Sequence, residues 1–147
     1  MTLSLEKSKE KTLMIQRRNA SWQDYVEIRD HPDIKWRKIS YCKGWLWVDM
    51  GKEGLNHAAF SDLMNALIFA WAFANLDIPL QSFGRWHIES PESDACAPDL
   101  VVYKGDDIPK WSPGESRSIS TLRHRLPDLV DEVGDTTLSI DLDEQKQ

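Results

Sequence analysis

Cysteine is scarce: Cys42 and Cys96 are the only two in 147 residues. They are too few for a disulfide scaffold and lack the spacing of a metal finger, so a reducing, cytoplasmic setting with inert thiols is expected. Long hydrophobic runs are missing as well. The longest, Ala66 to Ala74, falls far short of the ~18 residues needed to span a bilayer, and Met1 to Glu10 carries no apolar signal-peptide core. No membrane partner is expected. Positive charge is in deficit, 18 Lys and Arg against 24 Asp and Glu for a net charge of -6. That balance argues against broad affinity for a polyanion, which draws on clustered cations. Local groups such as Arg17 with Arg18, or Arg117, Arg123 and Arg125, remain free to meet a phosphate backbone.

What is present suffices for one domain with a real core. Hydrophobic residues make up 41% of the chain and seven are Trp, large enough that several must cover the core or line a cleft. Residues 1–20 are charged and aperiodic and read as a flexible arm, leaving 21–147 as the domain. Ser21 is placed to cap a helix over Trp22–Asp30 that His31-Pro32 ends. From Trp36 the apolar period becomes two, and Lys43-Gly44 separates two strands of a hairpin. Asn56 to Asn75 is the strongest helical signal and is expected to be a central buried helix. Strands are expected over Gln81–Glu89, Asp99–Tyr103 and Leu129–Val133, with loop between them.

Two carboxylates stand at the ends of short β-prone apolar runs: Asp99 in Ala97-Pro98-Asp99-Leu100-Val101-Val102-Tyr103, and Glu132 in Leu129-Val130-Asp131-Glu132-Val133. Acidic groups beside apolar strands are costly to bury without a compensating cation or donors. Converging from neighbouring strands, they would form a hard-oxygen site for Mg²⁺, the chemistry of phosphodiester cleavage. Taken singly, Asp99 reads as a turn carboxylate after Pro98 and Glu132 as an ion-pair residue. His57 has two readings, a cap on the first helical turn or a group beside the site. His87 and Glu89 share a strand face and read as surface lining. The Trp-rich hairpin with Arg37, Lys38 and Lys43 offers base stacking on single-stranded nucleic acid, but Trp36, Trp45 and Trp47 read first as surface-to-core packing.

In order along the chain stand the hairpin, the helix opening Asn56-His57-Ala58-Ala59, the Ala-Pro-Asp-Leu-Val-Val strand, then Asp-Leu-Val-Asp-Glu-Val, Asp-Thr-Thr and Asp-Leu-Asp-Glu-Gln-Lys. This series resembles the Uma-two family of endonucleases, a branch of the PD-(D/E)XK nuclease superfamily, over roughly residues 21–147. The resemblance implies an α/β, restriction-endonuclease-like fold, a mixed sheet flanked by helices, and hydrolysis of DNA phosphodiester bonds with Mg²⁺ or Mn²⁺. It assigns Asp99 and Glu132 to the metal, with the carbonyl of Val133 completing the oxygen shell, and His57 to a supporting place. Gly134 stands where the D/E-X-K lysine ordinarily follows. The family's alternative lysine lies in a Thr-x-x-x-Asp-x-x-x-Lys pattern that here reads Thr137, Asp141 and Gln145. Gln145 orients a water but cannot neutralise developing charge as an ammonium does, and Lys146 is about 100° further round a helix.

The family continues past this point with more helix and an apolar strand. The expectation is therefore a domain incomplete at its C-terminal end, which an oligomer of identical chains would complete. Three readings compete: a Mg²⁺-dependent endonuclease, a catalytically degenerate member that binds nucleic acid or protein, and an oligomeric structural protein whose carboxylates are ordinary ion-pair partners.

Overall fold

The computed structural model describes residues 14–51 and 53–134. They form β1 (Met14–Arg17), α1 (Trp22–Asp30), β2 (Lys38–Cys42), β3 (Trp45–Asp49), α2 (Leu55–Ala74), β4 (Leu80–Gly84), β5 (His87–Ser90), β6 (Asp94–Cys96), β7 (Leu100–Lys104), β8 (Ser118–Ser120) and β9 (Leu129–Asp131). The architecture is mixed α/β, consistent with a restriction-endonuclease-like fold. Its strands divide between two sheets. One has six strands in the order β1-β3-β2-β6-β5-β8, the other three in the order β4-β7-β9. Thr137, Asp141, Gln145 and Lys146 lie outside the described residues.

Local chemistry sets the first elements. Ser21 and Asp24 form a reciprocal capping box at the start of α1, satisfying amide donors that the first turn leaves open. The helix stops at His31, whose extended backbone suits the residue before Pro32. The hairpin turns on Lys43 and Gly44, at φ 46° and 83°, the left-handed pair that matches the twist of two antiparallel strands. Tyr25 of α1 then packs with Ile39, Tyr41, Leu46 and Val48 of the hairpin in the first core cluster. Ile88, Val101, Tyr103 and Ile119 form a second cluster that draws on both sheets.

Four expectations change. Met14–Arg17, assigned to the arm, pairs along β3 with Met14 opposite Asp49; a strand edge supplies backbone partners whatever the side-chain pattern. Gln81–Glu89 is not one strand. It breaks at Arg85, φ 57°, so that β4 lies in the small sheet and β5 in the large one. Strands β6 and β8 occupy segments read as loop, because three-residue strands carry too little pattern to register. The long helix forms, one residue earlier than expected, but it is not buried. His57 is its one buried residue, while Leu55 is 87% exposed and Phe73 75% exposed. Ala, Leu and Met favour the helix by themselves, but burial needs a covering layer, and among the described residues none covers that face.

Candidate active site

The chain crosses between the two sheets twice at the same place. It leaves the small sheet at Arg85 and returns through Ala97-Pro98-Asp99, and the Arg85 amide donates to the Asp99 carbonyl at 3.0 Å. This pins Asp99 at the mouth of β7. In the antiparallel β7–β9 pair Leu100 stands opposite Asp131, so one step outward Asp99 comes beside Glu132. The Asp99 amide donates to Glu132 Oε2 at 3.2 Å.

A cation sits between them. Lys38 Nζ, from β2 of the other sheet, lies 2.9 Å from Asp99 Oδ1 and also pairs with Glu132 Oε1. Asp99 Oδ2 accepts from the Val133 amide at 2.9 Å and faces His57 Nε2 at 2.9 Å. His57 reaches back through Nδ1 to Glu53 Oε1 at 2.7 Å, and Glu53 in turn pairs with Arg85. Each ring nitrogen of His57 thus faces a carboxylate oxygen, which orients the imidazole from both sides. The N-cap of α2 is Gly54, and the His57 ring lies against Asp99 and Glu53.

Burial pushes the Asp99 carboxyl up, but Lys38, the Val133 amide and His57 outweigh it and hold the group below the usual carboxylate range. Glu53 balances the same way: burial raises it, and Arg85 and His57 bring it lower. Asp131 goes the other way. Burial and the charge of Asp99 push its carboxyl up, and its Oδ2 is enclosed with no hydrogen-bond partner among the described residues. The thiol of Cys96, behind the site, is pushed up to about 11 by burial and then by Glu132, which suits an inert role.

The donors are hard oxygens, the kind Mg²⁺ takes. Two carboxylates converge on one cation position, and Mg²⁺ is ordinarily held by one or two carboxylates with waters filling the rest of its shell. The residues therefore fit a single divalent ion, provided Lys38 gives way. Among the described residues no group of three or more His, Cys, Asp or Glu is placed to hold a metal ion, so the site offers two carboxylates and leaves the remaining positions to other oxygens.

The family model "Uma2: Putative restriction endonuclease" matches residues 22–147. The chain belongs to the Uma2 family. No curated protein and no solved structure matches it. For a Uma2 chain, Asp99, Glu132 and His57 are thus brought together by the fold, with the Val133 backbone beside them, and Gln145 and Lys146 lie outside the described residues. Sequence reasoning missed Lys38, Glu53 and Arg85. Lys38 carried a weak signal, a lone cation on the strand face it shares with Ser40 and Cys42, but nothing along the chain ties position 38 to 99. No helix among the described residues is long and apolar enough to cross a membrane.

Proposed function

We propose that this chain is a Mg²⁺- or Mn²⁺-dependent endonuclease acting on DNA, with its active site at the junction of the two sheets. The observation that carries the reading is the convergence of Asp99 and Glu132 on a single cation position. Asp99, Glu132 and the Val133 carbonyl would hold the metal. When bound, a divalent ion supplies Lewis acidity at the phosphate and a water made more acidic for attack.

The protein's own part is positioning and charge. His57 donates to Asp99 and fixes the carboxylate's rotation, and Glu53 orients His57 in the same way. Arg85 anchors Glu53 at the rim. Lys38 brings to the site an ammonium of the kind the family pattern would place at Gln145. Released from the two carboxylates, it neutralises charge on a phosphate oxygen while Gln145 or Lys146 orients the attacking water.

The test is a Mg²⁺ or Mn²⁺ titration paired with supercoiled-plasmid nicking, with and without chelator, on the wild type, Asp99→Ala and Glu132→Ala. Nicking and metal binding lost together in both variants is the expected result. Metal binding without nicking identifies the catalytically degenerate member, and no metal binding identifies a structural ion cluster; either result rejects the nuclease reading.

A further inference from the structure

A cleft of about 610 Å³ opens beside Asp99, and its walls carry Arg29, Arg37, Lys38, Arg85, Arg117 and Arg123. In a chain of net charge -6 such a concentration of cations calls for a partner-by-partner reckoning. Arg29 is held by Asp30 and Glu89, Arg37 by Asp49, Arg85 by Glu53, and Lys38 by Asp99 and Glu132. Arg117 and Arg123 are exposed, and their guanidinium groups pair with no carboxylate among the described residues.

Both are nonetheless fixed in place by their backbones. The carbonyl of Arg117 accepts from His87 at 2.8 Å and the amide of Arg123 donates to Ser120 at 3.0 Å, which brackets β8 where it lies parallel to β5. Other cations that the sequence offered for a phosphate backbone are used internally. Arg17 pairs with Asp24, Arg18 lies 4.3 Å over the Trp45 ring, and Arg125 is spent on Asp128 and on the Lys104 and Asp106 carbonyls. The two arginines left over share one cleft with Asp99.

We infer that this cleft is the track for a DNA strand, with Arg117 and Arg123 each neutralising one backbone phosphate and so delivering the intervening phosphodiester towards Asp99. The inference rests on the nuclease reading for what happens to that phosphodiester, but not for the binding itself. Fork-like guanidinium donors flanking one strand suit phosphate oxygens, and Ser116 and Ser118 line the same wall.

Binding of a fluorescent oligonucleotide, as duplex and as single strand, is measured by anisotropy in chelator across a salt series. Neutralising two phosphate contacts contributes a slope of about 1.8 in log K against log salt for duplex, or about 1.4 for single strand. Arg117→Gln/Arg123→Gln should lose that much slope and at least tenfold in affinity at low salt, with each single variant losing about half the slope. Lys110→Gln, the same charge change at an exposed position outside the cleft, should bind as the wild type does. Circular dichroism checks that each variant is folded. A double variant with unchanged slope, or an equal loss in Lys110→Gln, overturns the inference. Plasmid nicking is read separately. Wild-type binding with the expected slope but no Mg²⁺-dependent nicking keeps the cleft and rejects the nuclease; nicking by the double variant with unaltered KM keeps the nuclease and rejects the cleft.

Discussion

Glu89 and Asp99 line the same cleft, and each is held below the usual carboxylate range against the pull of its own burial. They are held by different kinds of cation. Glu89 Oε1 accepts from the Arg29 guanidinium at 2.7 Å and from the Tyr25 hydroxyl at 2.5 Å. Arg29 is itself clamped by Asp30 through two nitrogens, and Tyr25 is fully buried, so this end of the cleft is locked. Asp99 shares with Glu132 one lysine, a compact charge on a flexible stem that enters from another sheet. An arginine fork held at both ends is rigid, whereas a single ammonium on a four-carbon stem is a compact point charge free to rotate. On the proposed function, the Glu89 cluster supports the fold and the Asp99 cluster is the one that would exchange its cation.

The widest separation between the two should appear in activity. Asp99→Asn is expected to reduce Mg²⁺-dependent plasmid nicking by about a hundred- to a thousandfold, by analogy with loss of a principal electrostatic group. Glu89→Gln, at the locked end, should keep wild-type metal affinity in a calorimetric titration. A Glu89→Gln variant that loses metal binding would show that the two clusters act as one.

Next comes stability with and without metal. Lys38→Gln leaves Asp99 and Glu132 without their shared ammonium; breaking a mostly buried pair costs about 3–5 kcal/mol. The melting temperature in chelator should drop by about 6–20 °C, on the scale of ~2–4 °C per kcal/mol for a domain of this size. Millimolar Mg²⁺ should recover a larger part of that loss than it adds to the wild type. Equal Mg²⁺-induced shifts in variant and wild type would mean that Lys38 and the metal do not compete for one position.

Tyr25→Phe should cost about 1.5–3 kcal/mol by removing a hydrogen bond to an ionised carboxylate. Its Mg²⁺ titration should superimpose on that of the wild type.

The smallest effect is a change of slope with pH. Because the folded-state pKa of Glu89 is depressed, its contribution is fully present above the unfolded value near 4.5 and is lost as pH falls through the lower folded value. Urea unfolding midpoints between about pH 5 and pH 3 should therefore fall less steeply for Glu89→Gln than for the wild type. Identical slopes would place the acid sensitivity in other carboxylates.

Legibility in the sequence followed the distance over which each interaction acts. The helix Trp22–Asp30 was readable to the residue, because its capping box and its Pro32 stop are local chemistry within a few positions. Asp99 and Glu132 were readable as a pair through motif order. Lys38, Glu53 and Arg85 were not, since each joins the site from a separate stretch of chain. The turning of Arg85 to positive φ, which splits one apparent strand between two sheets, left no mark in the apolar alternation either.

By itself, then, the sequence determined the local elements, the family and the two acidic positions, because caps, turns, periodicity and motif order are properties of neighbours along the chain. The tertiary structure alone decided that Lys38 stands between those acids and that, among the described residues, nothing covers the apolar side of α2 and no carboxylate pairs with Arg117 or Arg123. Each of those outcomes depends on which surfaces meet, and a cation's availability is settled only after every nearby carboxylate has found its partner.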